Sequence, residues 1–158
     1  MRPFLSVDQT RLDVNRATNQ LVATIRIHHS GLTPAQNVNT IQSMACIPVS
    51  EEATYFDQPA RPQPLEHGFS RGFAAPPKIS TMSLGPGNSI QRQMFVNMDA
   101  QGWSSWAKNK VRGWVFGIIV YSDEFGTVHA TKFRFYHGLD LKTNEPTLLL
   151  SDDGNDSN

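Results

Sequence analysis

Leu21, Ala23, Ile25 and Ile27 alternate with Val22, Thr24, Arg26 and His28. Successive side chains of a strand point to opposite faces, so this spacing predicts a half-buried β-strand, ending at His29-Ser30-Gly31. A second pattern spans Trp114-Val115-Phe116-Gly117-Ile118-Ile119-Val120-Tyr121, apolar at both parities. It predicts a strand covered on both faces or lying centrally in a sandwich. The following run, Val128 to Tyr136, places Thr131, Phe133 and Phe135 on one face and Lys132, Arg134 and Tyr136 on the other. Between the two runs, Ser122-Asp123-Glu124-Phe125-Gly126 predicts a hairpin turn in which Asp123 accepts from turn amides and Gly126 takes a positive φ. The paired runs are expected to bury Phe116, Ile118, Val120, Phe133 and Phe135 together.

Weaker patterns fill in the rest. Val38, Ile41, Met44, Cys46 and Ile47 predict a strand over 37–47, and Ile90, Met94, Val96 and Met98 predict another whose apolar face is broken by Arg92. Pro48 to Pro86 holds seven of the ten prolines, so regular ladders are not expected through much of it. Within this excursion Ile79, Met82 and Leu84 predict a short edge strand before the Gly85-Pro86-Gly87 turn. Trp103, Trp106, Ala107 and Lys110 recur three or four apart and predict one short helix between Asp99 and Arg112. About six or seven strands with little helix favour an all-β fold, an immunoglobulin-like antiparallel β-sandwich with one short helix and a long Pro-rich excursion. Residues 1–140 are assigned to the sandwich and 141–158 to a polar C-terminal tail, whose last eight residues are acidic and lack an apolar face.

A chain of 158 residues is long enough for one domain to bury a core without disulfide or metal staples. Lys plus Arg and Asp plus Glu each number 14, so no global field favours nucleic acid or an anionic membrane. Cys46 is the single cysteine, which excludes an internal disulfide and a multi-cysteine zinc site. No apolar run reaches the roughly 18 residues a membrane span requires.

Several residue groups invite chemistry, and each has a structural counterpart. His28 and His29, with His129 and His137, suggest metal ligation, but adjacent strand residues face opposite ways and do not converge on one ion. His129 and Asp123 with a serine would resemble a hydrolase constellation, yet no Gly-x-Ser-x-Gly elbow accompanies them. Asp123 and Glu124 are adjacent, as turn formers are, and His28, His29, His129 and Asp123 are expected to face solvent. Cys46, between Ala45 and Ile47 with no neighbouring base, reads as a small buried hydrophobe. Trp103, Trp106 and Trp114 with Lys108, Lys110 and Arg112 resemble an aromatic and basic nucleic-acid surface, or a patch facing lipid head groups. Their structural alternative is a short helix packed on the open end of the sandwich. Tyr55, Phe56, Phe69 and Phe73 lie in the Pro-rich excursion and either fold over the sandwich or serve as aromatic anchors. Together with Trp103 and Trp106 they are the candidate binding residues.

Four segments carry a family resemblance: Ile25-Arg26-Ile27-His28-His29-Ser30-Gly31-Leu32-Thr33-Pro34-Ala35, Leu84-Gly85-Pro86-Gly87, Gly117 through Gly126, and His129-Ala130-Thr131-Lys132-Phe133. In this order they resemble the soluble domain of a widespread group of uncharacterised bacterial membrane-anchored proteins. That group has an Asn-x-Gly-x-Thr-Pro-Ala turn, a Pro-Gly turn and a Tyr-x-Asp-x-Phe-Gly hairpin; His29 stands here where the group usually has Asn. The resemblance implies one or two transmembrane helices upstream, hence a membrane-associated module on either side of the bilayer.

The resulting expectation is a non-enzymatic binding or sensory module with no catalytic residues, no cofactor and no metal. Its partner is expected to be another protein or a second copy of the chain; nucleic acid is not expected, and the membrane is met only through the tether. The alternatives are a hydrolase-type enzyme using His129 and Asp123, and a structural subunit that self-associates through a sheet edge.

Overall fold

The computed structural model describes residues 3–56, 82–139, 146–151 and 155. Seven strands run in the order β1 (Leu5–Asn15), β2 (Gln20–His29), β3 (Gln36–Pro48), β4 (Ser89–Asn97), β5 (Val111–Ser122), β6 (Val128–Leu139) and β7 (Pro146–Leu150). They form two antiparallel sheets, β1-β2-β4 and β3-β5-β6-β7. The sheets pack face to face as a β-sandwich, with β4 approaching β3 along one side and β1 approaching β6 and β7 along the other. On that second side two threonines tie strand to strand: Thr131 Oγ1 donates to the Leu5 carbonyl at 2.9 Å and Thr10 Oγ1 to the Leu148 carbonyl at 3.3 Å.

The predicted alternation of β2 is present residue by residue. Leu21, Ala23, Ile25, Ile27 and His29 are wholly buried, while the intervening side chains are half-exposed. They meet Val115, Ile119, Tyr121, Phe133 and Phe135 from the facing sheet in one core. Burying each of these large aliphatic or aromatic side chains contributes roughly 1.5–3 kcal/mol. In β1 a bulge between Val7 and Gln9 breaks the period of two.

On β5 the face assignment has to be corrected. Val115, Ile119 and Tyr121 point into the core; Phe116, Ile118 and Val120 take the opposite face and are half-buried. Phe133 and Phe135 are buried as expected. Hydropathy misassigned the parity because the core face of β5 carries Gly113 and Gly117. Gly117 is needed there: a Cβ at this position would collide with the Ile41 carbonyl and stand 2.7 Å from Cζ of Phe133. The ring of Phe133 therefore fills space that a side chain on β5 would otherwise take.

The outer face of β5 is covered as well, at one end. A 3₁₀ turn (Val49–Glu51) and a single helical turn α1 (Glu52–Tyr55) follow β3 and carry Tyr55 and Phe56 over Phe116 and Trp114. Glu52 accepts hydrogen bonds from Trp114 Nε1 at 3.0 Å and from the Arg112 guanidinium at 3.1 Å, anchoring the turn to the sheet.

The predicted helix is α2 (Ala100–Ala107), which carries the chain from β4 to β5. Its N-terminus is capped by Asp99, whose carboxylate accepts the Gly102 N–H at 2.6 Å. Of the predicted edge strand, Leu84 pairs with Ala35 and the Met82 carbonyl accepts from the Val38 N–H; Ile79 lies outside the described residues. The segment assigned to the tail needs a correction too. Pro146–Leu150 forms β7 against β6 and buries Leu148, so the sheet extends past residue 140. The two leucines that follow, Leu149 and Leu150, are largely exposed, which weakens the strand signal of so short a run.

Candidate functional site

One end of the sandwich gathers three connections. The β2–β3 loop leaves at His29 and re-enters at Gln36, which pairs with Ser122 at the top of β5. The turn before β4 is bound to the same place: Gly87 N–H donates to the His29 carbonyl and His29 N–H to the Asn88 carbonyl, both at 3.0 Å. The β5–β6 turn completes the set.

That turn is organised by Asp123. One carboxylate oxygen, Oδ1, accepts the N–H groups of Phe125 and Thr127, each at 2.9 Å. The other, Oδ2, stands 3.1 Å from Nε2 of His129. An ionised carboxylate only accepts, so Nε2 carries the shared proton. The Asp123 N–H donates to the Thr127 carbonyl and the Gly126 N–H to the Asp123 carbonyl, and Gly126 has the positive φ of 80° that the turn requires. The His129 hydrogen bond, aided by the two amides, holds the Asp123 carboxyl below the usual carboxylate range against the opposing effect of burial. The ring of Tyr121 lies beside His129 at 5.5 Å between centroids.

This arrangement overturns the expectation that His29, His129 and Asp123 face solvent. Asp123 and His129 are buried and paired. His29 continues the odd-numbered, inward face of β2 and is wholly buried, with neither ring nitrogen hydrogen-bonded. Only His28, on the outward face, is half-exposed. No three His, Cys, Asp or Glu among the described residues are grouped to hold a metal ion. Ser122, the serine next to Asp123, gives its hydroxyl to the Gln36 carbonyl and accepts from Asn37 Nδ2.

The same turn pushes apolar side chains outward. Phe125 is 82% exposed, Val128 68% and Leu32, in the β2–β3 loop, 66%. Sequence reasoning passed over these three. A signal was present in Phe125 and Leu32: each is a large apolar residue inside a turn motif, where no strand parity directs it to the core.

The six candidate binding residues have other surroundings. Trp103 is buried and Trp106 half-buried at the opposite end of the sandwich, edge to face at 5.9 Å. The Arg16 guanidinium lies 4.0 Å over Trp103, and His137 packs 4.6 Å from Trp106. Burial, with the positive charge of Arg112, pushes the His137 imidazole below its ordinary value. α2 thus seals that end, as the structural alternative anticipated; Arg112 is tied to Glu52 and does not join Lys108 and Lys110 in a free basic cluster. Tyr55 and Phe56 lie half-buried on β5, Phe56 at 5.0 Å from Trp114 and under the Arg134 guanidinium at 3.9 Å. Phe69 and Phe73 lie outside the described residues. Cys46 is buried with Sγ 3.6 Å from Sδ of Met98, and desolvation pushes its thiol up to about 12, so it stays protonated and is no nucleophile at neutral pH.

No protein family, curated protein or solved structure matches this chain in sequence or fold comparison. No helix among the described residues is long and apolar enough to cross a membrane.

Proposed function

We propose that this chain is a non-enzymatic recognition module, immunoglobulin-like in topology and held at a bacterial membrane by a segment outside the chain. The immunoglobulin-like reading rests on strand order, with the first, second and fourth strands in one sheet and the third, fifth and sixth in the other. The tether rests on the turn motifs shared with membrane-anchored bacterial proteins.

The observation that carries the recognition reading is the use to which Asp123 is put. Its two oxygens hold a turn together, and that turn exposes Phe125. Catalysis by an Asp–His pair needs a nucleophile within hydrogen-bond reach of the imidazole, and the hydroxyl of Ser122 is committed elsewhere. A rigid scaffold that presents side chains from clustered loops is the arrangement binding proteins use.

The test has two arms. Purified chain is incubated with activated carboxylic and phosphoric esters, and separately sedimented with an extract of the cell envelope. The reading expects no turnover above buffer and a shift of the chain into a larger species. Ester turnover abolished by His129→Ala and by Asp123→Asn would replace it with the hydrolase alternative.

A further inference from the structure

We propose that the loop end of the sandwich docks a protein bearing an apolar pocket with a cationic rim, Phe125 entering the pocket and Glu124 meeting the cation. The proposal rests on the recognition reading and assigns it a surface and a partner chemistry.

Three observations converge. First, Phe125, Leu32 and Val128 are the three most exposed large apolar side chains among the described residues, and all belong to this end. The other large apolar side chains at the surface among the described residues are less exposed. Second, the turn is preorganised for burial. The N–H groups of Asp123, Phe125, Gly126 and Thr127 are bonded within the turn itself, so covering it strands none of these four donors. A turn already fixed by a buried Asp–His pair loses little conformational entropy on docking, and Phe125 is held out as a fixed anchor.

Third, the charge pattern selects the partner. Across 30–36, 84–88 and 123–128 the charged residues are Asp123, which is buried and paired, and Glu124. Glu124 is exposed and makes no ion pair among the described residues. Charge depletion around an aromatic anchor is the composition of a protein interface core. A bilayer is disfavoured, since a carboxylate beside Phe125 opposes insertion. A protein pocket with a Lys or Arg at its rim accommodates both side chains.

The experiment uses the whole chain immobilised as bait against an envelope extract, in parallel with Phe125→Ala, Glu124→Gln and Phe95→Ala. Phe95 is exposed on β4, and Phe125 is exposed enough that circular dichroism should be unchanged on truncation. A protein retained by wild type is then purified and titrated. The proposal expects Phe125→Ala to weaken binding about 30-fold, as loss of a central anchor does. Glu124→Gln should weaken it about threefold and remove most of its salt dependence, and Phe95→Ala should leave it unchanged. Retention unaffected by Phe125→Ala overturns this surface while leaving a recognition module; retention of nothing overturns both. Partition onto phosphatidylcholine vesicles, or self-association of the chain, that disappears in Phe125→Ala also overturns it, in favour of lipid or a second copy.

Discussion

Truncating Ile119 and Ile118 separately to alanine distinguishes the two faces of β5. Ile119 is wholly buried and sits across from Thr131 in the core, whereas Ile118, paired with Ile41 and Lys132, is half-exposed on the outer face. Removing the buried carbons of Ile119 forfeits about 0.8 kcal/mol for each methylene-sized group, close to 2.4 kcal/mol in transfer alone. The cavity left between two packed sheets adds to that, giving about 3–4 kcal/mol, within the usual range for such truncations. Ile118 keeps part of its surface in water in the folded state, so its truncation should cost about 1–1.5 kcal/mol. Urea denaturation followed by tryptophan fluorescence measures both, and an unchanged slope shows that stability alone has moved. Equal losses for the two variants, or a larger loss at Ile118, would refute the orientation of β5 and with it the core described here.

The remaining predictions concern the turn and the response to pH. Gly126→Val forces a β-branched residue to a φ of 80° and should destabilise the chain by at least about 1–2 kcal/mol, measured in the same denaturation assay, while Gly126→Asn should cost less. The His137 imidazole is depressed in the fold, so below its ordinary value of 6.5 the unfolded chain binds a proton that the folded chain resists. Thermal stability should therefore fall as pH drops below 6.5, and His137→Gln should flatten that part of the profile. The Asp8 and Asp123 carboxyls are depressed by Arg26 and His129; their stabilisation is complete above the ordinary value of 3.8 and should be lost on further acidification.

How much of this was legible in the sequence depends on whether a strand has one apolar face or two. β2 was readable from Leu21 to His28, because its even positions are mixed and its odd positions apolar up to His29, which was expected at the surface and is buried. The same alternation places His29 inside, although its side chain is polar and it ends the strand. β5 was readable as a covered strand but not as to which face met the core, since glycines on the inner face hide it and α1 supplies an apolar cover on the outer. β7 escaped notice because a five-residue edge strand with one buried leucine carries almost no periodic signal. At the loop end, the turn and its Gly126 were legible, being local. Asp123 and His129 were grouped in the sequence only as a hydrolase alternative; that they are buried and brace the turn was not legible, since it depends on hairpin register bringing together residues six apart. Of the three tryptophans grouped in the sequence, Trp103 and Trp106 pack together while Trp114 packs with Phe56 and Phe116 on the outer face of β5, and residue type alone does not separate a plug from an anchor.

Phe125 is proposed as a contact residue in the cell, held out by a turn that Asp123 braces. Side-chain oxidation footprinting tests this directly, comparing the isolated chain with the same chain in intact cell envelopes. Phe125 should be readily oxidised in isolation and protected in the envelope, with Phe95 oxidised alike in both. Equal oxidation of Phe125 in the two settings would contradict that role.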